Sequence, residues 1–320
     1  MATAPRAQSG SSRGRPGTVA DVLDPRLLYS LNQDVLESLG GHTPPLLHTL
    51  DGYIDAGAVI HSTGRYLLEQ CESEVLVEFD HDQLHDYRSR RPQMVFDTNH
   101  WVSLTDYELV LYKLLDAQGT PFLLLTGPEP DTQWNRVCAA LLDLAKRLDV
   151  SSVISVGGVP MAVPHTRPTL VTAHATDPSV ITGNPMWIDR VQLPGSFSHM
   201  LEFRAGEAGL LGRGFVAHVP HYLAQTAFPQ ATAAVLARIA EATGLEFPTA
   251  DLTERVAANL ASIATETADD ADFPAVVTAL EEQYDQLRAS ATPRVPSAEE
   301  IGAAVEQFLA EQDPPPDYRR

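Results

Sequence analysis

From about residue 44 to 245 the chain repeats one pattern: a short apolar run, a turn, then a helical period. Phe122-Leu-Leu-Leu-Thr126, followed by Gly127-Pro128, is its clearest instance. A strand with one wet face alternates apolar and polar residues, so a run apolar on every side chain is a strand covered on both faces. Further strands are expected at 46–50, 74–79, 94–97, 108–115, 152–156, 170–173 and 215–219. Asp131 is expected to cap a helix with Trp134, Val137, Cys138, Leu141, Ala145 and Leu148 on one face. Another helix spans 230–243 and stops at Gly244. Alternation of this kind predicts an α/β fold, a three-layer α/β/α sandwich. The short link Asp-Ala-Gln-Gly-Thr-Pro between 108–115 and 122–126 reads as a hairpin, so the sheet is mixed.

After residue 248 only helical periods remain. Asp251 with Glu254 predicts a capping box ahead of Leu252, Val256, Leu260 and Ile263. Phe273, Val277, Leu280, Tyr284 and Leu287 form a second stripe, and Ser297 with Glu300 opens a third. The expected division is a disordered segment 1–24, an α/β core 25–248, a helical appendage 249–312 and a flexible tail 313–320.

Composition narrows the function. The chain carries 22 basic against 42 acidic residues, a formal charge of −20. A polyanion is repelled by such a surface, so nucleic acid and anionic membrane are not expected partners. Nowhere do 18 apolar residues run together, so no membrane span is expected. The N-terminus, MATAPRAQSGSSRGRPGT, has no apolar core of a secretory signal. Cys71 and Cys138 fit no disulfide framework or metal motif and read as buried thiols of a cytoplasmic protein.

Against this acidity, 80–92, DHDQLHDYRSRRP, gathers Arg88, Arg90 and Arg91 within four positions. It follows a strand ending at Phe79, which places Asp80 and Asp82 at the rim where open α/β sheets bind ligands, if that strand is parallel to its neighbours. Read as a helix from 82 to 91, ended by Pro92, it sets Asp86 against Arg90 as an i,i+4 pair. Two readings stand: a self-neutralised structural segment, or an arginine clamp, Arg88 and Arg91, for an anion or a partner's carboxylate. His81 and His85 have helical metal spacing, but three or four converging ligands are needed and no metal is expected.

Three further stretches carry candidate groups. Gly157 and Gly158 follow the strand 152–156 and would let backbone amides approach an anion, with His165 and Arg167 beside them. The bland alternative is a Pro-stiffened connection. His218 and His221 end another strand, and with His165, His174 and His199 they would form an acid/base rim if they converged. Ser196 reads as a helix cap rather than a nucleophile. No G-x-G-x-x-G fingerprint and no P-loop is present, and no cofactor is expected.

Five segments together resemble a known family. They are Leu-Asp-Gly52-Tyr-Ile-Asp55-Ala-Gly57, Phe79-Asp-His-Asp82…Asp86-Tyr-Arg88-Ser-Arg-Arg91-Pro, Phe122-Leu-Leu-Leu-Thr-Gly127-Pro-Glu129-Pro-Asp131, Pro164-His165-Thr-Arg167-Pro and Val219-Pro-His221-Tyr-Leu-Ala. They are similar to the actinobacterial branch of the proteasome assembly chaperone family, related to the second subunit of the eukaryotic pair. The resemblance implies a nucleoside phosphorylase/hydrolase-like sandwich and a homo-oligomer, with a trimer favoured. It implies a protein partner, the proteasome among the candidates. Family members that engage proteasomes end in a hydrophobic–tyrosine–any-residue tail; here Tyr318 is third from the end and follows Asp317. The resemblance carries no catalytic residue to transfer. A binding or assembly protein is therefore set against a phosphorylase- or hydrolase-like enzyme or anion binder whose rim unites Asp55, Arg88, Arg91, His165, Arg167 and His221.

Overall fold

The computed structural model describes residues 23–52, 54–184 and 192–291. The third expected helix, the tail with Tyr318 and nearly all of 1–24 lie outside the described residues.

Strands β1 (Tyr29–Leu31), β2 (Leu46–Asp51), β3 (Glu72–Phe79), β6 (Val110–Leu115), β7 (Pro121–Pro128), β8 (Val153–Met161), β9 (Val171–Ala175) and β10 (Gly212–Pro220) form one eight-stranded sheet. Its order is β1-β3-β6-β7-β2-β8-β10-β9. The four strands β7, β2, β8 and β10 run parallel at its centre, and β1, β3, β6 and β9 flank them through antiparallel pairs. The apolar runs occupy the parallel centre, where Leu46, Leu47, Leu123, Leu124, Leu125 and Ile154 are fully or almost fully buried. The expected 108–115/122–126 hairpin is the β6–β7 pair.

Helices cover both faces. On one lie α1 (Gln33–Glu37), α3 (Trp134–Arg147) and α4 (Phe197–Glu207), burying Val35, Val137, Leu141, Phe197 and Leu201. On the other lie α2 (Val59–Gln70), α5 (Pro229–Thr243) and α6 (Ala250–Glu266), burying Val59, Tyr66, Leu67, Val235, Ile239 and Leu252. The chain is thus an α/β/α sandwich around a mixed sheet, with a further C-terminal helix, α7 (Phe273–Ala291). Gly244 ends α5 at φ 77°, a left-handed turn that glycine adopts without strain.

Several local expectations are corrected. Residues 82–91 form no α-helix: a 3-10 turn, His81–Gln83, is followed by isolated turns. Asp131 does not cap α3, which begins after Gln133, because its carboxylate is held by the 80–92 loop. Asp251 and Glu254 form no capping box; Thr249 precedes α6 without a side-chain cap, and Asp251 pairs with Arg255 instead. The segment 94–97 is a strand, β4 (Gln93–Asp97), but it leaves the main sheet and pairs only with an unexpected strand, β5 (His100–Thr105).

Candidate functional site

Because β3 is antiparallel to β6, and β6 to β7, the carboxyl end of β3 lies at the same edge as those of β2, β7, β8 and β10. The 80–92 loop therefore does sit at the rim. It does not reach the His165/His221 end: β3 and β10 are five ladder steps apart, on the order of 24 Å at about 4.8 Å per strand. The helices after β2 and β7 pack on opposite faces, and a crevice of this kind is where open α/β sheets accept ligands.

At the β2/β7 end the residue that faces inward is Arg90. Its Nε donates to Asp131 Oδ1 at 3.0 Å, and the Asp86 N–H donates to the other oxygen at 2.8 Å. Burial raises the Asp131 pKa, but those hydrogen bonds outweigh it and hold the group below its ordinary value. The expected Asp86–Arg90 pair is thereby replaced. Asp80 accepts from Gln83 Nε2 at 2.7 Å, and Asp82 from the Tyr87 hydroxyl at 2.6 Å. That bond to a carboxylate pushes the Tyr87 hydroxyl up to about 12. Arg88 and Arg91 point outward, and neither guanidinium has an ion-pair partner among the described residues. His81 faces Asp106 at 3.3 Å, whereas buried His85 faces the Pro128 carbonyl at 3.4 Å, so the two rings share no ligand point.

Asp55 caps the start of α2, accepting from the Ile60 N–H at 2.7 Å and the His61 N–H at 3.2 Å. Burial raises its pKa against those two bonds. Asp51, at the end of β2, is also raised by burial, and His61 Nδ1 lies 3.5 Å from it. Gly157 and Gly158 lie inside β8, not after it, and pair with Val216 and Ala217 of β10. They are no phosphate loop. Gly158 is there for close approach: a Cβ would stand 2.2 Å from the Ala56 carbonyl.

At the β8/β10 end the candidate groups are engaged by α7. Arg167 Nη1 donates to Glu281 at 3.0 Å, while its Nε and Nη2 donate to Asp285 at 3.1 and 2.9 Å. The hydrogen bonds from Arg167 hold Asp285 below the ordinary carboxylate range. The Tyr222 hydroxyl meets the His165 ring at 2.8 Å, and Phe273 stacks on that ring at 6.1 Å between centroids. Burial lowers the His165 pKa. The Tyr284 hydroxyl donates to the Pro168 carbonyl at 2.9 Å. His221 is exposed, with its ring edge-on to Tyr222.

The five histidines do not converge. His218 is buried within the sheet, its Nε2 2.8 Å from Thr172 Oγ1. His174 and His199 lie at α4, where His174 pairs with Glu202 at 2.9 Å and His199 completes the Ser196 capping box. Burial lowers His218 to about 4. Three shallow clefts of about 220, 280 and 420 Å³ lie away from the rim. The widest is formed by Pro44, Pro45, Pro121 and Ser152, at the opposite edge of the sheet. Among the described residues no three His, Cys, Asp or Glu side chains are placed to hold a metal, and no helix is long and apolar enough to cross a membrane.

Sequence reasoning missed Arg90, Asp131, Asp51 and His61 as rim groups, and the pairing of Arg167 with α7. Arg90 and Asp131 are 41 residues apart, so no local spacing reveals them. Glu281 and Asp285 left one trace, an i,i+4 pair of acids, each directly after a residue of the second stripe of the appendage.

A sheet with parallel centre, antiparallel flanks and helices on both faces, its rim closed by its own side chains, defines the class of protein. The chain belongs to the PAC2 family, whose model matches residues 49–266. It is similar to a Mycobacterium tuberculosis protein of unknown function, Rv2714, at 42% identity and TM-score 0.77, over 88% of this chain and 95% of that one. A Corynebacterium glutamicum protein of unknown function is 33% identical at TM-score 0.77, over 82% and 99% of the two chains. The Mycobacterium tuberculosis proteasome-assembly chaperone homologue Rv2125 is 25% identical at TM-score 0.66, over 72% and 99%. No curated protein matches the chain.

Proposed function

We propose that this chain is a protein-binding, assembly-chaperone-type member of its family, which works through its surface and performs no reaction at the rim. The observation that carries the reading is the engagement of Arg167. Arg167, in the loop with His165, is already held by Glu281 and Asp285, so its fork is taken by the chain's own carboxylates and not left open for an anionic substrate. Similarity to a proteasome-assembly chaperone homologue supports proteasome subunits as the partner class. The test is native mass spectrometry of the full chain mixed with purified proteasome α- and β-subunits of an actinobacterium. A joint complex is the expected result; separate species only would overturn the partner.

The alternative, an anion-binding or hydrolytic site, rests on Asp51 and His61, a carboxylate raised by burial beside an imidazole at the β2 crevice. A screen of nucleosides and phosphate esters distinguishes the two readings: turnover lost in His61→Ala would favour the enzyme.

A further inference from the structure

The smallest of the three clefts, about 220 Å³, opens beside the first residues of β10 and the end of α5. It exists because the side chains there are small. Along β10, Phe215, Ala217 and Val219 pack in the cluster on the α5 side. Arg213, two residues before Phe215, projects to the same side. On β9, Ala173 stands opposite Phe215, and Ala175 opposite Arg213. The helix contributes Ala242. Methyl groups at these three positions leave the space unfilled. The outer wall, residues 180–182, is tied down at two points. The Ala173 N–H donates to Asn184 Oδ1 at 2.7 Å, and Asn184 Nδ2 donates to the Ala173 carbonyl at 2.7 Å. Arg238 Nη2 donates to the Thr182 carbonyl at 3.2 Å. The cleft is therefore preformed, as ligand sites usually are.

Its charges are out of balance for so acidic a chain. Arg90, Arg167 and Arg255 each find at least one carboxylate. Buried Arg136 has none, but all three of its side-chain nitrogens donate hydrogen bonds. Arg213 is partly buried and has neither arrangement. Its Nη1 donates to the Ala242 carbonyl at 2.9 Å, its Nε has no partner, and no carboxylate meets it among the described residues. A cation held away from water without a counter-charge is costly. Arg238 lines the same cleft and is paired with Glu241 at 2.6 Å. Two guanidiniums and one carboxylate leave one positive charge, which matches a monoanion; Glu241 would repel the second charge of a dianion. Phe215, Val180 and Ile181 give the cleft an apolar side. A cavity of about 150 Å³ holds a benzene ring, which sets the size of ligand that fits. Arg213 also borders the widest cleft, but that one has no second guanidinium.

We propose that this cleft binds a small monocarboxylate, with the carboxylate on Arg213 and the hydrocarbon body against Phe215, Val180 and Ile181. Guanidinium and carboxylate form charge-assisted hydrogen bonds, the strong kind, and the ligand supplies the counter-charge that the chain does not. Seated between β10, α5 and the 180–182 wall, it ties the three together, so its binding stabilises the folded chain. The site lies on β9, β10 and α5, away from the rim, and the proposal does not depend on the partner class argued above.

The test is a ligand-observed NMR titration of the full chain with benzoate and with hexanoate. Benzyl alcohol and inorganic phosphate are the controls, at a pH where phosphate is a dianion. Saturable binding of the two carboxylates, and of neither control, is the expected result. Arg213→Gln is expected to weaken benzoate at least about tenfold, the scale of a lost hydrogen-bonded charge pair. Because Arg213 also holds the Ala242 carbonyl, a second variant fills the cleft and leaves the arginine in place: Ala175→Leu is expected to weaken benzoate as much. Circular dichroism matching the parent chain shows which variants are folded, and either one alone decides the question. Glu241→Gln is expected to admit phosphate. No saturation by either carboxylate, equal binding of benzyl alcohol, or a folded Arg213→Gln or Ala175→Leu that titrates like the parent would overturn the proposal. Phosphate still excluded from Glu241→Gln would overturn the assignment of a monoanion.

Discussion

Arg167 and Asp285 meet through two parallel hydrogen bonds, 3.1 and 2.9 Å, across 118 residues of chain. This contact, with Glu281 on the third guanidinium nitrogen, seats α7 on the loop after β8. A planar fork on a carboxylate fixes direction as well as distance, so the last described helix has one position on the rim.

Arg167→Ala should therefore loosen α7 and leave the sheet intact. Both partners are partly wet, so solvent screening keeps the global loss small. Hydrogen exchange followed by mass spectrometry is the measurement: faster exchange is expected in 273–291, with β2, β7 and β8 unchanged. Unchanged protection of α7 would show that Phe273 and Tyr284 hold it without the arginine.

Acid should destabilise the chain through two buried imidazoles. Burial lowers His48 and His218 to about 4, from an ordinary value of 6.5. The folded chain keeps both rings neutral, while the unfolded chain protonates them below 6.5. Their contribution is fully present above pH 6.5 and is lost as pH falls toward 4, by up to about 3 kcal/mol for each ring. Around His48 the carboxylate of Glu202 opposes the shift, and His174 and His199 add to it. Urea midpoints at pH 7.5 and 5 should fall accordingly, and His48→Asn should flatten the dependence.

The two adjacent glycines should respond differently to the same methyl group. Gly158→Ala places its Cβ 2.2 Å from the Ala56 carbonyl, a backbone atom that cannot swing aside. A loss of roughly 1–3 kcal/mol is expected from such overpacking. At Gly157 the nearest atom is Val216 Cγ2 at 3.5 Å, an ordinary contact, and Gly157→Ala should be near neutral. Thermal melts of the two variants make the comparison; equal losses would contradict a close approach at Gly158 alone.

Both thiols should be slow to alkylate in the folded chain. Burial pushes Cys138 up to about 12 and Cys71 up to about 11, so little thiolate forms at neutral pH. Iodoacetamide labelling should be fast for both only after unfolding.

The layers and the sheet were legible because burial on two faces writes itself into contiguous residues such as Phe122 to Leu125. Helix ends with local partners were legible too: Ser196 caps α4, and Gly244 ends α5. Long-range polar contacts were not. Asp131 looks like a cap from its neighbours, yet its partners are Asp86 and Arg90, and nothing within a few residues distinguishes the two outcomes. Arg167 reads as a free anion clamp until α7 is folded against it. The hairpin was half legible: 94–97 has strand residues, but a main-sheet strand and a projecting ribbon share the same period of two. Wet apolar side chains become visible only when the rest of the fold leaves them uncovered.

The central claim is that this family member acts on assembling protein partners. The most direct measurement is the rate at which actinobacterial proteasome core particles form from separate α- and β-subunits, followed by native gel, with and without the full chain. A rate or yield that changes in proportion to added chain is the expected result. Identical assembly curves, together with turnover of a nucleoside or phosphate ester that is lost in His61→Ala, would contradict it.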